Sequence, residues 1–148
     1  MKHTSKGSVF TDIVLEVFKL NGLLVSDGDQ LVSELGLTSA RWKVLGALAK
    51  GSRRMTVSEI AREMGQSRQA VQRLANEMLD AELLVALDNP GHRRAKLFDL
   101  SERGKKAYSQ AMRRQTPWAN SIAKNVKESD LKTALSTLRA ISTSLNSS

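Results

Sequence analysis

Apolar residues crowd the first part of the chain. From Val9 onward, Val9, Phe10, Ile13, Val14, Val17, Phe18, Leu20, Leu23, Leu24 and Val25 cover more of a helix's girth than one packing face needs. Such a helix must be buried on more than one side, and a second subunit is the natural cover. A central core helix of a monomer is the other reading, which the short chain disfavours. Ser26-Asp27-Gly28-Asp29 interrupts the pattern, and Leu31, Val32 and Leu35 resume it, so one kinked element reaching Gly36 is expected, with residues 1–8 frayed. Thr38 then caps a second helix with Trp42, Leu45, Leu48 and Ala49 inward, where Trp42 is a core anchor. Gly51-Ser52-Arg53-Arg54 reads as a loop, and Met55 to Val57 as a short strand against a later hairpin.

The pattern from Thr56 to Leu100 organises the rest. Thr56 with Glu59 three residues on makes a capping box, and Val57, Ile60 and Met64 form one face of the helix it opens. Gly65 suits the left-handed position that stops that helix. Ser67 is the next N-cap, and its helix turns Val71, Leu74, Met78 and Ala75 inward. That leaves Arg68, Gln69, Gln72, Arg73 and Asn76 outward. Arg can bind guanine, and Gln or Asn adenine, in a bidentate manner in the major groove, although the same side chains are also ordinary on a solvated helix. Two strand-like runs follow, Leu83 to Leu87 and Ala95 to Leu100, joined by the turn residues Asp88-Asn89-Pro90-Gly91. His92, Arg93 and Arg94 sit at the tip, placed to reach phosphates or a narrow minor groove. One of these arginines could instead pair with Asp88 across the hairpin.

Ser101 caps a long helix in which Gly104, costly in a first turn, signals close approach of a neighbouring backbone. Pro117 must kink this helix or restart it from a Thr116 cap. Ser129-Asp130 begins a last helix whose Leu131, Ala134, Leu135, Leu138, Ile141 and Leu145 make a stripe suited to a helix–helix seam, and Asn146-Ser147-Ser148 is expected to be disordered.

Composition narrows the function. The 148 residues suit a single domain with a real core. No apolar run approaches the roughly 20 residues that span a membrane, and the basic start MKHTSKGS lacks the features of a signal peptide, so a cytoplasmic protein is expected. The absence of cysteine excludes disulfides and thiolate metal sites. The net charge of +8 is uneven: −2 over residues 1–40, +4 over 41–100 and +6 over 101–148. A positive excess on the candidate reading head favours a polyanionic partner, and the scattered cations do not line an amphipathic helix made for membranes. Arg53, Arg54 and Lys96 are further candidates for phosphate contact. No catalytic motif, metal cluster or cofactor loop stands out, and the two histidines, His3 and His92, lie far apart. An enzyme is therefore not expected, nor any cofactor. Aromatic residues make up only 4%, too few for the stacking platforms of an RNA binder.

Several short stretches together resemble the MarR (multiple antibiotic resistance regulator) family of winged helix-turn-helix transcription factors. They are Leu37-Thr38 with Arg41-Trp42 and Leu45; Val57-Ser58-Glu59-Ile60-Ala61; Ser67 to Leu74; Asn89-Pro90 with Arg93 to Leu97; and Leu100-Ser101 with Gly104. The resemblance covers nearly the whole chain. It implies a mainly α fold with a small β-hairpin wing, in which residues 37–100 form a winged-helix lobe and helices within 9–36 and 101–145 dimerise. It further implies a homodimer bound to double-stranded DNA at a pseudo-palindromic operator, with repression the expected outcome. Ser67, Arg68, Gln69, Gln72, Arg73 and Asn76 would then face the major groove, and His92, Arg93 and Arg94 would belong to the wing. Relatives often bind small aromatic effectors, but no residue here marks such a cleft. Two departures stand out: His92 occupies a place that is acidic in many relatives, and Ser101 replaces the commoner Thr. The competing function for the same fold is a winged-helix module that binds proteins and reads no DNA sequence.

Overall fold

Helix boundaries in the computed structural model follow local capping chemistry at most of the positions the sequence singles out; the structure describes residues 1–51 and 53–147. The first helix, α1, spans Ser5–Val32 without interruption. The expectation that residues 1–8 fray is corrected for residues 5–8: the Thr4 hydroxyl accepts from Gly7 N at 3.0 Å and starts the helix at Ser5, leaving residues 1–4 outside it. The helix runs through residues 26–29 as one element, and Gly28 there is buried so close to Ser39 that a Cβ would collide with its hydroxyl. A single 3₁₀ turn, Ser33–Leu35, follows α1, and Gly36 in the left-handed region (φ 71°) ends it.

Helix α2 spans Ser39–Gly51, and Thr38 Oγ1 accepts from Arg41 N at 3.2 Å as a cap should. Asp29 of α1 accepts from Ser39 N at 2.7 Å, and the Ser39 hydroxyl donates to Val25 O at 2.9 Å, so α1 and α2 are stitched together by the buried Ser39. Ser52, part of the expected loop, lies outside the described residues, and Gly51 belongs to α2. Helices α3 (Val57–Met64) and α4 (Arg68–Asp80) make the helix-turn-helix. Strands β1 (Leu84–Leu87) and β2 (Leu97–Leu100) pair antiparallel, from Leu84↔Leu100 to Leu87↔Leu97. The expected strand at Met55–Val57 reduces to one bridge, in which Met55 and Phe98 exchange two backbone hydrogen bonds of 3.1 and 2.8 Å. Val57 is already helical, because the Thr56 cap turns the chain immediately after Met55.

The chain forms two compact units, Met1–Met112 and the residues from Arg113 onward. In the first, Val32, Val44, Leu45, Leu48, Ile60, Val71 and Met78 are fully buried, and Phe98 and Leu84 anchor the hairpin to them. Burying a side chain of this size contributes roughly 1.5–3 kcal/mol, so these residues fix the lobe on which α4 is displayed. Helix α5 spans Glu102–Ala123 and passes through Pro117, which neither ends it nor restarts it from Thr116. Proline removes the hydrogen bond to the carbonyl four residues back and crowds that carbonyl, but the helical residues on both sides carry α5 through. Helix α6 spans Glu128–Asn146, starting just ahead of the expected Ser129. The tail expectation is corrected in part: Asn146 is helical, and Ser147 N donates to Thr143 O at 3.2 Å, while Ser148 lies outside the described residues.

Both candidate association stripes are uncovered within one chain. On α1, Val9, Phe10, Val17, Phe18, Leu20, Leu23 and Leu24 are exposed, and only Gly28 and Val32 of that helix are buried. On α6, Leu131, Leu135, Leu138 and Leu145 are exposed, and none of the helix is buried. No described helix is long and apolar enough to cross a membrane.

Candidate nucleic-acid interface

The start of α3 is held by a dense local network. The Thr56 hydroxyl accepts from Glu59 N at 3.2 Å, and Glu59 Oε1 accepts from Thr56 N at 3.1 Å, completing the capping box. Glu59 Oε2 accepts from Arg53 Nη1 at 2.9 Å. The Thr56 backbone N–H above all, with Arg53 adding its charge, holds the Glu59 carboxyl below its usual range. Arg53, a candidate for phosphate contact, thus also supports the start of α3 while its side chain stays exposed. The spacing could reveal the box but not the second oxygen's partner.

Gly65 ends α3 at φ 65°, with Gln66 N donating back to Ala61 O at 2.9 Å. Ser67 Oγ accepts from Ala70 N at 3.1 Å, so Ser67 acts as the α4 cap. Helix α4 buries Val71, Ala75 and Met78, and this rotation leaves Arg68, Gln69, Gln72, Arg73 and Asn76 all exposed. Gln72 Nε2 donates to Asn76 Oδ1 at 3.0 Å. Among the described residues, no hydrogen bond or ion pair occupies the side chains of Arg68, Gln69 or Arg73. Beside this face, Glu77 lies 3.8 Å from Arg41 of α2.

The wing tip is ordered by its own turn chemistry. Asn89 Oδ1 accepts from Gly91 N at 3.1 Å, and His92 N donates to Asn89 O at 3.0 Å. His92, Arg93 and Arg94 project from this turn into solvent. The expected partner of Asp88 is corrected: its carboxylate takes Lys96 Nζ at 2.6 Å and neither arginine, which holds the Asp88 carboxyl below its usual range. The hairpin register decides this. Asp88 and Lys96 adjoin the last pair, Leu87↔Leu97, and so face each other. Arg54 lies 3.9 Å from Asp99. All three candidate phosphate contacts, Arg53, Arg54 and Lys96, therefore have acidic neighbours, whereas Arg93 and Arg94 have none among the described residues.

Between α4 and the wing lies a groove of about 540 Å³, lined by Thr56, Val57 and Ser58 of the α3 start, by Arg68, Gln69 and Gln72, and by Arg94, Ala95, Lys96 and Phe98. Ser58 was not among the expected site residues; its place in the first turn of a capped helix was the available signal. A second cavity of about 650 Å³ lies between α2, β2 and α5, with Leu48, Ala49 and Leu100 as apolar lining and Arg53, Arg54, Lys105 and Tyr108 as polar lining, together with Asp99.

The wing is tied to α5 at one junction. Glu82 sits between α4 and β1 with φ 61°, unusual for a residue with a side chain. Ser101 Oγ donates to Glu82 O at 2.6 Å and accepts from Gly104 N at 2.9 Å, while Ser101 N donates to Leu83 O at 3.1 Å. Gly104 lies directly against the Leu83 carbonyl, where a Cβ would collide with the oxygen.

Comparison with known proteins gives a consistent result. A family model described as "MarR family" matches residues 35–95. An uncharacterized protein of Mycobacterium tuberculosis is 34% identical over 127 residues, covering 86% of this chain and 87% of its own. Among solved structures, CouR from Rhodococcus jostii RHA1 bound to p-coumaroyl-CoA superposes with a TM-score of 0.79 at 20% identity, covering 88% of this chain and 92% of that one. The M. tuberculosis transcriptional regulator MOSR, in complex with DNA, superposes with a TM-score of 0.74 at 17% identity, covering 89% of this chain and 96% of that one.

Proposed function

The chain belongs to the MarR family, and from that premise we propose that it is a sequence-specific DNA-binding transcription regulator, acting as a homodimeric repressor on a pseudo-palindromic operator. One observation carries this reading. Arg68, Gln69 and Arg73 project from the second helix of a helix-turn-helix with no intramolecular partner among the described residues, and Arg94 of the wing, similarly unpaired, lies across a groove shared with Arg68 and Gln69. Donors left uncompensated on the protein are available to base edges and phosphates. The DNA complex of MOSR, which shares the fold, supports this assignment.

Dimerisation rests on the exposed apolar stripes of α1 and α6, whose solvation in a lone chain would be unfavourable. In a dimer, two copies of α4 would be presented about one duplex turn apart, which suits half-sites on one face of DNA. The cavity beside Tyr108 has the size and the apolar-with-cations lining that suit a small aromatic acid as effector, and CouR, which shares the fold, is bound to p-coumaroyl-CoA, a ligand with an aromatic acyl group. The regulator would act in the cytoplasm.

The test is operator selection from genomic fragments, followed by affinity measurement on the selected site and on random DNA. Arg73→Ala and Gln69→Ala should each reduce discrimination by about 1–3 kcal/mol if they contact bases. Arg93→Ala and Arg94→Ala should each flatten the salt slope by about one phosphate contact. Equal affinity of the native protein for all DNA would rule out sequence reading and leave a protein-docking role for the fold. Light scattering that finds only monomers would rule out the dimer.

A further inference from the structure

We propose that Gln72 is the adenine-reading side chain of this interface and that Asn76 is its positioning residue, not a second base contact. The inference rests on the DNA reading above and makes it specific to one base.

Gln72 and Asn76 lie one turn apart on the exposed face of α4, and Gln72 Nε2 donates to Asn76 Oδ1 at 3.0 Å. An amide nitrogen carries two hydrogens. Asn76 takes one, which leaves Gln72 with its Oε1 acceptor and one N–H in the plane of the amide, and these serve adenine together where the hydrogen kept is the one beside Oε1. That pair complements the major-groove edge of adenine, where the N6 amino group donates and N7 accepts. Guanine presents two acceptors at the same edge, so Oε1 would face O6 without a hydrogen between them.

While Asn76 holds Gln72, one of the two lone pairs of its Oδ1 is engaged and its amide is turned toward that partner, so it is less free than Gln72 to present an acceptor and a donor together to a base. Gln72 also lines the groove shared with the wing, whereas Asn76 is not among its lining residues. Gln69, which lines the groove too, has no partner to fix its amide among the described residues. Fixing a long side chain before association lowers the ordering cost of binding and makes one base the preferred one. An i, i+4 amide pair is also a known support for an isolated helix, and the test must separate that role from this one.

The experiment selects binding sites from randomised duplexes with the full native chain and with Gln72→Ala, Asn76→Ala and Asn76→Asp, measuring melting temperature and affinity for each. The native protein should select an adenine at one position of each half-site, and Gln72→Ala should lose it. Asn76→Ala should weaken that same preference by roughly fivefold to tenfold and leave every other position as it was. Asn76→Asp keeps the acceptor, so it should retain the adenine while binding all DNA more weakly, because its carboxylate repels phosphates. The proposal is overturned if Asn76→Ala lowers only the melting temperature, or if it erases a base of its own. It is also overturned if Gln72→Ala keeps the adenine. A native protein that selects no sequence overturns both this inference and the function it deepens.

Discussion

Asp88 and Lys96 close the wing one step beyond its last strand pair, with Lys96 Nζ 2.6 Å from Asp88 Oδ1. Both side chains are well exposed, so the pair is a weak source of stability. Its importance is to occupy the lysine that lines the groove between α4 and the wing.

Replacing Asp88 with Asn should therefore release Lys96 toward a phosphate. Affinity for DNA should rise, and its dependence on salt should steepen by about one counterion, with no change in melting temperature. Fluorescence anisotropy across a salt series reads this directly. An unchanged slope would mean that Lys96 does not reach the backbone even when freed.

Glu59 should make the helix-turn-helix sensitive to acid. Its carboxyl titrates below its ordinary value in the folded protein, chiefly because the Thr56 N–H bonds the charged form. A group depressed in this way contributes in full above its unfolded value and is lost as pH falls through the folded one, so the window lies below about pH 4.5. Glu59→Gln should flatten the fall in stability over that window. Glu59→Ala should cost about 1 kcal/mol at neutral pH. Urea unfolding at stepped pH would show both effects, and parallel pH profiles for native and Gln proteins would contradict the assignment.

The junction beneath the wing should respond in opposite directions to two glycine exchanges. Gly104→Ala drives a Cβ into the Leu83 carbonyl, which is backbone and cannot rotate aside, so it should destabilise the chain by about 2–3 kcal/mol. Glu82→Gly removes the side chain from a left-handed residue and should stabilise it by up to about 1 kcal/mol. Thermal unfolding of the two variants distinguishes them by sign.

Much of the helix-turn-helix and its wing was legible because its signals are local. Thr56 with Glu59, Gly65, Ser67 and Ser101 each satisfy backbone groups within a few residues, and side-chain chemistry at fixed spacing declares them. Gly104 was legible for the opposite reason, as a residue too costly for its position unless another backbone lay close. The partners of charged groups were not. Asp88 had three cations in reach, and only the strand register selects Lys96; Arg53 had solvent, phosphate and Glu59 available, and only the folded path of the chain brings the last within 2.9 Å. The role of Gly28 was not legible, because glycine in a helix reads locally as a weakness, while here it admits Ser39 against α1.

Because cross-strand pairing ends at Leu87↔Leu97, the segment from residue 88 to 96 is free of the ladder's alternation. Its length can vary through evolution or engineering with little effect on the lobe beneath. Added residues there would lengthen the reach of Arg93 and Arg94 and leave Phe98 seated. One residue inserted within the strand itself would rotate Phe98 out to water and a polar neighbour in. Targeting preference and folding can thus diverge in this chain at a single, identifiable boundary.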